Sequence, residues 1–288
     1  MRFLSGLECA GEFTFIPPSK ELSGWIRKDL PEDLLTDFIR DPDRFLDDPS
    51  SQIFKNESKI QVIKRTLKGR GGATRDVVIK RFHYSSVIRR LGFFFFSSPA
   101  VRCLKGALVL KSDGIDTALP VVALEYRSWG RIGTSYYVAD EIVNSESLLA
   151  FCRDVLPTLS RGKGVEKKRQ ILKEVASLFH KLHSRGIYHQ DLKGSNILIG
   201  GDSGGERQYF LVDVGGVWKS RRLPWSKRVK NLAQLCRTLG RWMNIRDTLF
   251  FLKQYSDYCS LSKDDRKGLT RKVLVDSKNW KIRSPRNR

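Results

Sequence analysis

Short runs of β-branched and aromatic residues occur in the first half of the chain. Residues 60–67 (IQVIKRTL) and 76–82 (DVVIKRF) form two such runs, with the glycine-rich segment KGRGGATR after the first. This order predicts a strand, a turn and a second strand. Residues 120–127 and 135–139 are also rich in Val or Tyr and predict two further strands. Together these runs predict a small antiparallel sheet.

Apolar positions change to helical spacing after about residue 142. The first of them are Leu148, Leu149, Phe151 and Val155, and the longer series that follows is Ile171, Leu172, Val175, Leu178, Phe179 and Leu182. Steps of three and four residues predict an amphipathic helix, which should end near Gly186. The segment 139–143 lies between the β-rich and the helical parts, and we expect it to be a hinge between two lobes.

Charge is distributed unevenly along the sequence. Residues 31–48 are acidic and interrupted by prolines, which predicts a short helix and loops before the main fold. Residues 1–50 contain six Lys and Arg against eleven Asp and Glu, whereas the whole chain has a formal net charge of +22. Such a charge attracts polyanions, including anionic lipid headgroups, phosphorylated glycolipid and nucleic acid. The alternative is a solvated basic surface that aids solubility.

Cysteine spacing and apolar runs bear on the cellular compartment. The five cysteines are scattered and include no C-x-x-C pair, so we expect no disulfide framework or zinc site and a reducing compartment. The longest apolar run, residues 91–96, is far shorter than the roughly 20 residues that span a bilayer. Glu8 and Glu12 interrupt the apolar N-terminus, so no signal peptide is predicted. These features predict a cytoplasmic protein.

Two segments carry the strongest chemical signal. Residues 188–199 read YHQDLKGSNILI, and residues 208–216 read QYFLVDVGG. Asp191, Lys193 and Asn196 stand at i, i+2 and i+5, and Asp213 follows a predicted hairpin and strand. This compound pattern resembles the catalytic loop and the metal-binding Asp of the protein-kinase superfamily. The resemblance implies phosphoryl transfer with ATP and Mg²⁺ as cofactors.

The resemblance also implies a role for each residue, because phosphoryl transfer depends on positioning and charge neutralisation. Asp191 would orient the attacking hydroxyl and accept its proton, and Lys193 would stabilise charge on the transferring phosphate. Asn196 and Asp213 would supply the oxygen ligands that Mg²⁺ prefers. Lys80, in VVIKRF, matches the strand lysine that pairs with the α- and β-phosphates. The alternative for Lys80 is a solvated lysine at the edge of a sheet.

Further segments resemble the Kdo/WaaP lipopolysaccharide kinase family over roughly residues 52–240. The segments that point to this family are GIDTALPVVAL at 114–124 and NLAQL at 231–235. The resemblance implies an ATP-dependent phosphotransferase that phosphorylates a sugar hydroxyl of the lipopolysaccharide inner core. Lipopolysaccharide core or another glycolipid would then be its substrate.

The implied fold is α+β, a two-lobed protein-kinase-like fold with a small antiparallel sheet in the N-lobe and a mainly helical, shortened C-lobe. We expect an acidic N-terminal extension at 1–51 and an N-lobe with nucleotide-binding strands at 52–141. A C-lobe with the catalytic loop and a basic C-terminal tail would occupy 142–288. The tail after Ser262 has ten Lys and Arg, and we interpret it as a solvated end.

The chain departs from the kinase pattern in several places. Residues 54–59 (FKNESK) stand where a phosphate-covering loop belongs and contain no glycine, although Lys55, Ser58 or Lys59 could contact phosphates instead. The helix expected at 99–111 has no carboxylate to pair with Lys80, and Cys103 aligns with its place. The DFG triplet is altered to DVG at 213–215. His189 is expected to support the loop backbone rather than to act as a base.

Three functions remain open at this stage. Only 75 residues follow Asp213 and no APE motif is present, so a small or membrane-borne hydroxyl fits better than a peptide. The rivals are a protein serine, threonine or tyrosine kinase and a catalytically weak kinase-like scaffold that binds anionic lipid or RNA.

A basic cluster beyond the motif suits an anionic membrane surface or nucleic acid. Its members are Trp218, Lys219, Arg221, Arg222, Trp225, Lys227, Arg228 and Lys230. We favour a peripheral position on the inner face of the cell membrane, because no RNA-binding module is visible.

Overall fold

The computed structural model describes residues 11–17, 21–31, 33–69, 71–83, 97–128, 131–159, 163–201 and 207–283. Cys9 and the apolar run at 91–96 lie outside these residues. The strands of the described part are β1 Phe13–Ile16, β2 Leu22–Arg27, β3 Gln52–Glu57, β4 Ile60–Lys68, β5 Thr74–His83, β6 Pro120–Ser128, β7 Arg131–Asp140, β8 Ser145–Ser147, β9 Ile187–His189, β10 Ile197–Gly201, β11 Arg207–Leu211 and β12 Val217–Lys219. The helices are α1 Thr36–Arg40, α2 Pro42–Leu46, α3 Pro99–Ser112, α4 Leu148–Asp154, α5 Lys163–Ser184, α6 Trp225–Leu239, α7 Ile245–Tyr258 and α8 Lys263–Arg283.

The chain divides into two compact units. The first extends to Val143 and also includes Val214–Gly216, and the second comprises Asn144–Asp213 and the residues from Val217 onward. The boundary lies in the segment 139–143, where the sequence predicts a hinge. The hinge motion itself stays a prediction.

The first unit contains a seven-stranded antiparallel sheet in the order β1-β2-β6-β7-β5-β4-β3. The four strands predicted from the sequence are confirmed as β4, β5, β6 and β7. Strands β1 and β2 precede the predicted helix and loops at 31–48 and were not predicted from the sequence. Strand β2 lacks the apolar alternation that reveals a strand, because it contains Gly24 and Arg27. A Cβ on Gly24 would lie 2.3 Å from the Ala123 carbonyl oxygen, so the strands approach closely there. The buried Arg27 guanidinium pairs with Asp140 at 3.1 Å.

One face of this sheet carries the predicted acidic segment. That segment forms two short helices rather than one, because Asp41 caps α2 through Arg44 N and Pro42 occupies its first turn. Phe38 of α1 is fully buried with Ile63, Ile79 and Val138 of the sheet. The apolar side of α1 and α2 thereby completes a core around the inward-facing residues of the central strands.

Helix α3 packs against strands β6 and β7 of the same sheet. Ser98 caps its N-terminus by accepting a hydrogen bond from Val101 N at 3.3 Å, and Pro99 occupies the first turn, where no N–H is needed. The helix buries Cys103, Leu104 and Leu108. This is the helix that the sequence placed at 99–111.

The second unit is mainly helical. The periodic apolar residues of α5 are buried, and Phe179 makes an edge contact with Phe251 of α7 at 5.8 Å between ring centroids. Residues after Ser262 form α8 instead of a solvated end, since Leu269 and Val273 are fully buried and α8 packs against α6. The interpretation of this tail as a solvated end is wrong. Its two fully buried apolar residues lie among many lysines and arginines, so the sequence does not reveal a buried face.

Gly186 ends the long helix, as the sequence predicts. Its φ is +73°, a left-handed conformation that favours glycine, and a Cβ there would lie 1.9 Å from the Ser220 carbonyl oxygen. The close approach allows β9 to pair with β12 immediately afterwards. Among the described residues, no helix is both long enough and apolar enough to cross a bilayer.

Candidate active site

The predicted catalytic loop follows β9 and closes on itself. Asp191 Oδ2 lies 2.7 Å from Lys193 Nζ, and Asn196 Nδ2 donates to the Asp191 carbonyl oxygen at 2.8 Å and to Oδ2 at 3.3 Å. The side chains of Asp191 and Lys193 are 43% and 36% exposed, so their ion pair contributes little to folding stability. The structure thus brings together three of the predicted residues in an accessible arrangement.

His189 supports the backbone on both sides of this loop. Its Nδ1 accepts a hydrogen bond from Asp191 N at 3.2 Å, which leaves Nε2 to donate to the Val212 carbonyl oxygen at 3.1 Å. These are the backbone contacts that the sequence analysis expected of this residue. They connect the loop with the residue that precedes Asp213.

A hairpin places Asp213 beside the loop. Strands β10 and β11 pair from Ile197 opposite Leu211, and Val212 N donates to the Asn196 carbonyl oxygen at 3.0 Å. Asp213 follows directly and has a φ of +59°, which is uncommon for a residue other than glycine. Such strained conformations cluster at functional sites, where the surrounding structure maintains them. Neighbouring residues therefore hold the backbone of Asp213 in an unusual conformation, while its side chain is exposed.

The side chains at this point fit a magnesium ion. Both hydrogen bonds of the Asn196 side chain within the described residues are donated by Nδ2, so the amide oxygen could bind a cation. An amide oxygen and the Asp213 carboxylate are the hard donors that Mg²⁺ prefers. The described residues contain no group of three or more His, Cys, Asp or Glu that could hold a metal ion. This does not conflict with magnesium, which takes one or two protein carboxylates and completes its shell with phosphates and waters.

Lys80 belongs to the first unit, on β5, where it stands opposite Val62 and Tyr137. Burial, together with the nearby Cys103 thiol, raises the pKa of Tyr137. The Cys103 sulfur also lies 3.1 Å from the position that a Cβ on Gly215 would occupy. The helix position where a kinase carboxylate was expected therefore holds a buried thiol that lies near Tyr137 and Gly215.

A family model described as the lipopolysaccharide kinase (Kdo/WaaP) family matches residues 107–255, which is more than half of the chain. The chain belongs to the lipopolysaccharide kinase (Kdo/WaaP) family. The resemblance noted in the sequence is confirmed, and membership of a kinase family supports phosphotransferase activity and the use of ATP.

A solved structure supports the fold of this Kdo/WaaP-family protein. It is described as "WaaP in complex with acyl carrier protein" and matches with a TM-score of 0.62 and 19% sequence identity. The match covers 87% of this chain and 97% of the other. At this identity the likeness shows the kinase-like fold alone. No curated protein matches the chain significantly.

The segment that replaces the glycine-rich loop forms a tight hairpin in this family member. Ser58 and Lys59 make the turn between Glu57 of β3 and Ile60 of β4. Lys55 pairs with Glu57 at 3.2 Å on the exposed edge strand. Contacts of Lys55, Ser58 or Lys59 with phosphates stay predictions.

Three residues of α6 near the loop were not singled out in the sequence. Burial lowers the pKa of the Arg237 guanidinium, and the negative charge of Asp191 acts in the opposite direction, so the two groups lie within electrostatic range. Asn231 and Gln234 are buried and hydrogen-bonded to the loop backbone. Asn231 and Gln234 belong to the NLAQL segment, in which no composition or spacing signal assigns the polar residues to a buried face.

The basic cluster separates into two groups in the structure. Lys219, Arg221 and Arg222 are exposed, as are Trp218 at 38% and Trp225 at 40%. The other three cations are partly buried: Lys227 and Lys230 lie over the Tyr188 ring at 4.9 and 5.9 Å, and Arg228 donates to backbone carbonyls. We name the exposed five residues the tryptophan–arginine surface.

Proposed function

We propose that this protein is an ATP-dependent kinase that phosphorylates a sugar hydroxyl of the lipopolysaccharide inner core. The observation that carries the proposal is the closed loop in which Asp191, Lys193 and Asn196 contact one another while the β10–β11 hairpin places Asp213 alongside. Family membership supports the same reaction class. The family description supports lipopolysaccharide as the substrate and names no particular sugar or hydroxyl.

In this mechanism Asp191 accepts the proton of the attacking hydroxyl, since its carboxylate is held by Lys193 and Asn196 and is partly exposed. Lys193 supplies positive charge to the oxygens on which negative charge develops. Asn196 Oδ1 and the Asp213 carboxylate would hold Mg²⁺. Bound Mg-ATP supplies the phosphoryl group, and the cation neutralises phosphate charge. Lys80 of β5 would bind the α- and β-phosphates.

The tryptophan–arginine surface suits attachment to the cytoplasmic face of a membrane. Exposed tryptophans sit favourably at the headgroup level, and cations near anionic lipid contribute about 1 kcal/mol each. Lipopolysaccharide core is itself borne by a lipid, so a kinase that acts on it benefits from being held at the surface. We therefore place the protein peripherally on the inner face of the cell membrane.

An acyl carrier protein is a second candidate partner, because the matched structure holds WaaP together with one. Gel filtration of the two purified proteins, alone and mixed, tests it. Co-elution would support the partner, and separate elution at micromolar concentrations would remove it.

The proposed function is tested by mass spectrometry of lipid A-core from cells with and without this protein. We expect the core to lose one phosphate when the protein is absent and to regain it when the parent chain is restored. The Asp191→Asn variant should not restore it. Identical spectra in all three strains would contradict the proposal.

A further inference from the structure

Helix α6 places two amide side chains in the interior of the second unit. Asn231 is 0% exposed and Gln234 is 5% exposed, although their neighbours on the same buried face are apolar. A buried amide without hydrogen-bond partners is costly, so these side chains need partners inside the protein. Their partners are found on the catalytic loop.

Gln234 holds the backbone on both sides of Asp191. Its Nε2 donates to the Gln190 carbonyl oxygen at 2.7 Å, and its Oε1 accepts from Leu192 N at 3.3 Å. A single planar amide thus bonds the residue before Asp191 and the residue after it. Rotation of the Asp191 backbone would break at least one of these bonds.

Asn231 extends the same support by one residue and fixes the Gln234 amide. Its Nδ2 donates to the His189 carbonyl oxygen at 2.6 Å and to Gln234 Oε1 at 3.0 Å. Its Oδ1 lies 3.4 Å from His183 Nε2, and His183 Nδ1 lies 2.8 Å from the Tyr255 hydroxyl. The amide orientations are therefore set by a chain of partners that starts on α7.

Thr238 continues the row one turn further along α6. Its Oγ1 accepts a hydrogen bond from Gly194 N at 3.1 Å. Positions 231, 234 and 238 follow the three- and four-residue steps that align side chains on one face of a helix. This face bonds the loop backbone at four residues: His189, Gln190, Leu192 and Gly194.

We propose that Asn231 and Gln234 are positioning residues that hold the catalytic loop in the conformation needed for phosphoryl transfer. The inference rests on the proposed function, because it assigns these amides a task in the same reaction. Neither amide touches the carboxylate of Asp191, so both act through the backbone. A misplacement of about 1 Å at a catalytic group costs on the order of 100-fold in rate, which makes such support functionally important.

Two substitutions at one position separate the bonds that the Gln234 side chain accepts from the bond that it donates. Gln234→Met has a similar shape but removes all three side-chain bonds, to Gln190, Leu192 and Asn231, whereas Gln234→Glu retains the acceptor for Leu192 N and Asn231 Nδ2 and loses the donor to Gln190. A matched control is Thr248→Val, which removes a buried hydroxyl bond to the Asn244 carbonyl oxygen in α7 of the same unit. Thermal unfolding of each variant measures the stability loss.

We expect Gln234→Met to lower kcat roughly 10- to 100-fold while KM for ATP changes less than about threefold. Hydrogen exchange should accelerate at the Leu192 amide. Gln234→Glu should recover activity relative to the parent as the pH falls toward 5, because a protonated carboxyl can again donate to the Gln190 carbonyl. Gln234→Met should show no such recovery, and Thr248→Val should keep the parental kcat and loop exchange.

The proposal is overturned if Gln234→Met keeps a kcat within threefold of the parent, or if Thr248→Val lowers kcat as much at equal stability loss. If Gln234→Met does not fold, Gln234→Glu carries the same test, and a kcat equal to the parent's at pH 7 would contradict the proposal. Should the parent transfer no phosphate to core lipid, the proposed function fails. Even then, hydrogen exchange at residues 189–194 tests the positioning role, because unchanged exchange in the Gln234 variants would contradict that role.

Discussion

Asp213 combines an uncommon backbone conformation with a proposed role in binding Mg²⁺. Its positive φ is unfavourable for an aspartate, yet the β10–β11 hairpin and the His189 bond to Val212 define the chain on its N-terminal side. A conformation of this kind persists only where the surroundings enforce it. The backbone that carries Asp213 therefore lies next to Asn196, since Val212 N donates to the Asn196 carbonyl oxygen, and we propose that the two side chains share a Mg²⁺ ion.

Asp213→Ala should weaken Mg-ATP binding by at least about tenfold, equivalent to ~1.4 kcal/mol, because one of two proposed cation ligands is lost. Isothermal titration calorimetry with and without Mg²⁺ measures this. Asp264→Ala, on an Asp whose side chain is 94% exposed, is the control and should bind as the parent does. Unchanged magnesium-dependent binding by Asp213→Ala would remove the metal role.

His183 gives the second unit a predictable dependence on pH. Burial lowers its pKa from 6.5 to about 3, and the charges of Arg228 and His180 act in the same direction, while the Asn231 bond opposes them. The unfolded chain then binds a proton that the folded chain does not, so stability is complete above about pH 6.5 and falls as the pH decreases toward 3. The expected loss at pH 5 is about 2 kcal/mol from this residue. Urea unfolding at pH 7 and 5 measures it, and His183→Gln should reduce the difference.

At the scale of elements, Gly186 and Gly268 should differ in how replacement by alanine changes the stability of the protein. Gly186→Ala should destabilise the protein by more than about 1 kcal/mol, because its φ is positive and its Cβ would meet the Ser220 carbonyl. Gly268→Ala is the matched control: no atom lies within 4 Å of its Cβ, and its place inside α8 predicts a gain of about 0.5–1 kcal/mol. Thermal unfolding of both variants decides. Equal effects of the two substitutions would contradict this account.

The elements also show what could be predicted from the sequence. Strands β4 and β5 were predicted because β-branched residues flank a glycine turn, and α5 because its apolar residues keep helical spacing. Strand β2 was not, since buried Arg27 and Gly24 have no apolar alternation to reveal them. Asp191, Lys193 and Asn196 were recognised because their spacing is itself the motif. Asn231 and Gln234 were missed because a buried polar face resembles a solvated one until its partners are known.

At the scale of the whole molecule, charge is the feature on which the proposed membrane attachment rests. The net charge of +22 is accompanied by an exposed tryptophan–arginine surface, whereas other cations are engaged with Tyr188 or backbone carbonyls. Attraction to an anionic surface of this origin is screened by salt. Membrane binding through this surface should therefore weaken as salt is added, whereas membrane binding by insertion of an apolar helix would scarcely change.

Replacing Lys219, Arg221 and Arg222 with Gln should weaken binding to anionic liposomes about 100-fold, since each cation is worth about 1 kcal/mol near the surface. The control replaces Arg271, Lys272 and Lys278 of α8, which changes the charge equally at another exposed place. Sedimentation with vesicles at rising salt is the measurement. Equal losses in both triple variants would indicate a general charge effect, and binding that ignores salt would contradict the membrane proposal.

The central claim is that Asp191 accepts a proton during transfer of phosphate from ATP to a sugar hydroxyl of core lipid. Single-turnover transfer of labelled phosphate to isolated core lipid tests it most directly, with nucleotide binding measured in parallel. We predict that Asp191→Asn binds Mg-ATP nearly as the parent does but loses ~10²–10⁴ in rate, because the amide cannot accept the proton. Retention of more than about a tenth of the parental rate by Asp191→Asn, a difference of only ~1.4 kcal/mol in the barrier, would contradict the account.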